Sequence, residues 1–153
     1  GVRLGALYTA VIKGGASDER AKDLAGNALA ADVTWSFTVV PDTTAPTVTA
    51  TSPGGGATGI SRTANITATF SEAMDAATVN GSSFELRDPM GVLVPAVVTY
   101  GATNRRATLN PSATLSALTT YSATVKGGAI APSVRDAAGN ALVADRIWTF
   151  TTR

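Results

Sequence analysis

Hydrophobic and polar residues alternate in short runs along most of the chain. Ile66, Ala68 and Phe70 alternate with Thr67 and Thr69, and Phe84 and Leu86 with Glu85 and Arg87. Tyr121, Ala123 and Val125 alternate with Ser122, Thr124 and Lys126, and Trp148 and Phe150 with Thr149 and Thr151. A period of two marks a half-buried strand, because successive side chains leave opposite faces. Val48 and Ala50 are expected to point inward between Thr47, Thr49 and Thr51, and further strands are expected over 93–100 and 106–110. Pro53-Gly54-Gly55-Gly56 and Asp88-Pro89-Met90-Gly91 are turn chemistry. Pro95 within a run predicts an edge strand or a bulge. The stretch SEAMDAATV, 71–79, predicts a brief helical turn with Ser71 as its cap and Glu72 supporting it. About seven short strands, with turns every ten or so residues, predict an all-β antiparallel sandwich.

The pattern repeats. Laid on 121–151, the stretch 8–38 matches without a gap, with 17 identities in 31 positions. Lys13-Gly14-Gly15 meets Lys126-Gly127-Gly128, Asp23 meets Asp136, and Trp35 and Phe37 meet Trp148 and Phe150. Self-similarity at a fixed period marks an array of like units. The expected organisation is a C-terminal fragment of a preceding repeat over 1–40, a Pro-bounded linker over 41–46, and a complete domain over 47–153. Pro41 and Pro46 make the linker short and stiff. Tyr8, Ala10, Trp35 and Phe37 are expected to face a core that 1–40 does not supply. Such an arm is expected to be loosely held, to lean on the complete domain, or to pair with another chain's edge.

Composition narrows the function. Formal net charge is +1 and 15% of residues are charged. Nothing in that balance attracts nucleic acid or an anionic membrane. No 18-residue apolar run is present, so no membrane insertion is expected. Cysteine and histidine are both absent. That removes disulfides, thiolate zinc sites, a Cys nucleophile, the usual general base and a Ser-His-Asp triad.

The remaining candidates are few. Asp136-Ala137-Ala138-Gly139-Asn140 reads first as a turn, with Gly139-Asn140 supplying positive φ. Oxygens of Asp136 and Asn140 are weak calcium candidates, since calcium takes oxygen ligands. The density of a true calcium loop is missing. Asp42 in the linker is a third weak candidate, able to share an ion with the neighbouring domain. Glu72 and Asp75 lack the apolar pocket that splits the pKa values of a catalytic carboxylate pair. Trp35 and Trp148 sit in W-x-F alternations and read as core residues, not sugar platforms. Thr-x-Thr pairs at 47/49, 67/69 and 149/151 read as outward strand positions, not an ice-binding array. Leu115, Leu118 and Thr119-Thr120-Tyr121 fit a tyrosine corner, in which the Tyr hydroxyl bonds to upstream backbone. Tyr121, Trp148, Phe150, Phe70 and Gly139 are the expected structural residues.

The segments NITATFSEAMDAATV, ATLNPSATLSALTTYSATV and DAAGNALVADRIWTFTT resemble the bacterial Ig-like domain of the S-layer (SbsA-type) family. The order T-A-P, F-S-E-x-M-D, L-x-P, Tyr, D-x-A-G-N, W-x-F-T matches as well. The resemblance covers 46–153 in full and 1–40 as a domain tail. GGAIAPSV, ahead of Asp136, is longer than the family pattern, and 1–40 has the same insertion. The resemblance implies an Ig-like or fibronectin-III-like sandwich at the surface of, or secreted by, a bacterium. It implies a non-catalytic spacer whose partners are neighbouring domains of the same chain, with no cofactor. The alternatives are a glycan, cell-wall or ice-binding adhesion module, and an accessory domain of an extracellular enzyme. A monomer is expected, with edge pairing open to 1–40.

Overall fold

The computed structural model describes residues 5–16 and 19–153. It divides into two compact units, Gly1–Asp42 and Thr43–Arg153. The boundary falls inside the expected linker, and Pro46 is fully buried within the second unit.

Among the described residues of the first unit are two strands, β1 (Leu7–Ile12) and β2 (Val33–Thr38). They pair antiparallel, with Tyr8 opposite Phe37 and Ala10 opposite Trp35.

The second unit is a sandwich of eight strands: β3 (Val48–Ser52), β4 (Ala57–Ile60), β5 (Ile66–Phe70), β6 (Phe84–Arg87), β7 (Ala96–Gly101), β8 (Arg106–Pro111), β9 (Thr120–Val125) and β10 (Arg146–Thr152). One sheet has the order β3-β5-β8-β7 and the other β4-β10-β9-β6. All pairs are antiparallel except β10 with β4. The eighth strand, β4, was not expected. Its ATGI sequence has no alternation, and only its parallel pairing with β10 makes it a strand. Pro95 precedes β7, which is an edge strand as expected.

The inner faces carry the predicted residues. Ile66, Ala68 and Phe70 of β5 and Ala107 and Leu109 of β8 meet Phe84, Leu86, Tyr121, Ala123, Val125, Trp148 and Phe150 of the facing sheet. Each large side chain buried here contributes roughly 1.5–3 kcal/mol. Strand β3 departs from its pattern. A register shift between Val48 and Ala50 leaves Ala50 exposed and turns Thr51 inward. An extra residue in one strand reverses the in-and-out phase beyond it.

Two local predictions resolve clearly. The Tyr121 hydroxyl accepts a hydrogen bond from Ser116 N at 2.9 Å, beside buried Leu115, so the tyrosine corner is present. The helical turn is a three-residue 3₁₀ segment, Ala76–Thr78. Its cap is Asp75, which accepts from Ala77 N at 3.0 Å, and not Ser71. Ser71 serves the preceding strand end instead. It accepts from Thr47 N at 3.0 Å and donates its own N–H to Thr47 O at 2.9 Å.

Candidate functional site

The sharpest polar motif of the sequence, Asp136–Asn140, forms a closed loop. Asp136 Oδ1 accepts from Ala138 N and Asn140 N, both at 2.8 Å. Oδ2 accepts from the Asn140 side-chain amide at 2.8 Å. Gly139 has φ +97, where a side chain is strained. Asn140 is not in that region, contrary to expectation. It contributes its amide N–H groups instead.

The loop docks on the SEAMD segment of the same unit. Ala137 N donates to Ala73 O at 3.1 Å, and Asp75 N donates to Arg135 O at 2.9 Å. The Thr78 hydroxyl accepts from Arg135 N at 3.0 Å and donates to Asp75 O at 2.7 Å. Met74 N donates to the Tyr100 hydroxyl at 2.9 Å. Arg105 donates to Ser71 O. Two motifs far apart in sequence thus lock together at one end of the sandwich. This is the end at which the linker enters, because Val48 opposes Phe70.

Electrostatics fit a brace. Asp136 is 1% exposed. Burial pushes its carboxyl up, but the Asn140 amide and the N–H groups of Asn140, Ala138 and Gly139 outweigh burial and hold it below the usual range. Carboxylate oxygens of Glu72 and Asp136 lie within 4.8 Å of each other. Asn140, the other candidate in this unit, turns its amide nitrogen toward Asp136. Asp42 is exposed and is the last residue of the first unit.

A second cluster was not foreseen. Glu85 is buried on the outer face of β6, held by Arg87 at 2.9 Å and by Lys126. Burial raises its pKa, while the bonds and charges of Lys126 and Arg87 lower it, and the net direction is down. The F-E-L-R pattern shows Glu85 outward. Its partner lies 41 residues away, which no local reading supplies.

Trp148 is buried against Phe84, ring centroids 6.0 Å apart, so no sugar can stack on it. Arg105 takes φ 52 in the turn ahead of β8.

Several solved structures share this fold. CopC from Methylosinus trichosporium OB3b aligns with a TM-score of 0.55 and 18% identity, over 70% of this chain and 92% of that one. PcoC, a copper resistance protein from Escherichia coli, aligns at 0.52 and 18%, over 70% and 99%. The N-terminal part of the bacterial S-layer protein SbsC aligns at 0.53 and 20%, over 72% and 24%. No curated protein sequence matches the chain. Residues 42–152, which include both braced motifs, the tyrosine corner and all eight strands of the sandwich, match the sequence model of the bacterial Ig-like domain, and the chain belongs to that family.

Proposed function

We propose that the chain is a non-catalytic spacer of a bacterial surface or secreted protein, holding other domains apart. One observation carries this reading: the second unit takes in the chain at one pole and releases it at the other. Val48 begins β3 opposite Phe70, the last residue of β5. Thr152 ends β10 beside Ile60, and its hydroxyl donates to Ser116 O. That corner adjoins Arg62, whose carbonyl accepts from Leu115 N just ahead of Ile66, the first residue of β5. Domains joined through opposite poles extend in line.

The chain is also pinned where it enters β3. Pro46 is buried and Thr47 is bonded twice to Ser71. The Asp136 loop braces this same end.

The copper named for one of the similar structures is not carried over. Copper favours imidazole and soft sulfur ligands. This chain has no His and no Cys, and of its two methionines Met74 is buried.

Small-angle scattering on one, two and three fused copies of residues 43–153 tests the reading. The maximum dimension is expected to grow by a constant step per copy. Growth that falls away as copies pack side by side sinks it. Melting in excess calcium and then in chelator separates two forms of the same role. A rise of several degrees with calcium puts an ion on the folded state. An unchanged midpoint leaves hydrogen bonds as the whole brace.

A further inference from the structure

The first unit displays a face that the second unit shows how to cover. The two hairpins are one structure. Each of the six β1–β2 pairs has its counterpart at the matching repeat position among the six β9–β10 pairs: Tyr8↔Phe37 becomes Tyr121↔Phe150, and Ala10↔Trp35 becomes Ala123↔Trp148. Their connections agree as well. Gly14 N donates to Asp32 and Gly127 N to Asp145, both at 2.8 Å. Asp23 accepts from Ala25 N, Asn27 N and the Asn27 amide, as Asp136 does from its own loop.

Burial differs completely. Trp148 is 4% exposed and Trp35 is 48%; Phe150 is 1% and Phe37 is 46%. In the second unit β6 pairs along β9, β4 pairs along β10, and the β3-β5-β8-β7 sheet closes over the aromatics. In the first unit β1 and β2 form a two-stranded sheet, with no further strand on either edge among the described residues.

One charge records the difference. Lys126 reaches across to Glu85 of β6. Its counterpart Lys13 turns back on its own hairpin, to Asp32 at 3.0 Å. Asp145, the counterpart of Asp32, is left to hold Gly127 N.

We propose that the β1–β2 face is a docking surface for the front part of an Ig-like repeat, a segment patterned like residues 43–117. It supplies a Phe-Glu-Leu-Arg type strand along β1, a short strand along β2, and the facing sheet over Trp35 and Phe37. Its strand glutamate takes Lys13 from Asp32. The chain itself identifies the occupant, because the β9–β10 hairpin, in the same register, is covered in that way. The proposal is independent of the spacer reading, which rests on the second unit alone.

The test adds that segment. Residues 43–117 are fused ahead of residue 5, which continues the repeat numbering because position 118 corresponds to position 5. Acrylamide quenching of tryptophan emission is compared with that of the unfused chain and of a control in which 43–117 precedes a second copy of 118–153. In the unfused chain one of two tryptophans is open to quencher. In the fusion both are expected to be shielded, and a second cooperative melting transition to appear. A control that shields its added tryptophan while the fusion leaves Trp35 open overturns the proposal. So does concentration-dependent shielding of Trp35 in the unfused chain, which makes a second copy the occupant.

Discussion

The paired hairpins allow one substitution to be made twice with the local structure held constant. Phe150 and Phe37 occupy the same register position, each stacked on a tyrosine, at 6.0 Å for Tyr121 and 5.8 Å for Tyr8. Phe150 is fully buried among Trp148, Tyr121 and the facing sheet. Phe150→Ala removes its transfer free energy and leaves a cavity, a loss of about 3–5 kcal/mol. For a domain of this size about 4 °C accompanies each kcal/mol, so the midpoint of the second unit is expected to fall by roughly 12–20 °C. Phe37 is half exposed, so Phe37→Ala opens no enclosed cavity and leaves that midpoint within a degree or so. Thermal melts followed by near-ultraviolet circular dichroism read both, since the Phe84–Trp148 contact reports the second unit. Equal midpoint losses for the two variants would refute the reasoning. The two units would then unfold as one cooperative body, and burial within each would not be what sets stability.

Asp136→Ala strips three hydrogen bonds from a buried carboxylate and is expected to destabilise the second unit by about 3 kcal/mol, measured by urea unfolding. The matching Asp23→Ala is expected to leave that transition in place. Glu85 and Asp136 both have folded pKa values below their ordinary ones. The stability they add is therefore full above the ordinary carboxylate range and is lost as pH falls through the lowered values. The melting midpoint should be flat from neutrality to about pH 5 and drop below about pH 4. The double variant Glu85→Gln, Asp136→Asn should blunt that drop, and an undiminished slope would count against both sites. Gly127→Ala places a Cβ 2.4 Å from the Ala144 carbonyl, so expression of folded protein or its midpoint should fall sharply. Tyr121→Phe keeps the ring and removes the bond to Ser116 N, with an expected loss of about 1 kcal/mol by calorimetry.

Local geometry was legible in the residues alone. Alternation placed Ile66, Phe70, Phe84, Tyr121, Trp148 and Phe150 on inner faces, and the Asp-x-Ala-Gly-Asn signal marked a turn between β9 and β10. Among the described residues of the first unit, the same signals act with no facing sheet. Its hairpin has the same register and the same turn bonds as the buried copy. Hydrogen bonds spanning a few residues, and φ values that only glycine tolerates, need no distant partner. The features that join distant residues came from the assembled fold. Strand β4 exists because β10 lies beside it, and the Val48–Ala50 shift is set by pairing with β5. Asp75 caps the 3₁₀ turn in place of Ser71, which Thr47 already occupies. Glu85 meets Lys126 on the neighbouring strand, and the Asp136 loop meets the SEAMD segment far upstream. Burial belongs to this second group. Trp35 and Trp148 share a strand pattern and a pairing partner and differ more than tenfold in exposure. A residue's neighbours in sequence set its backbone, but only the strands packed over it remove it from water.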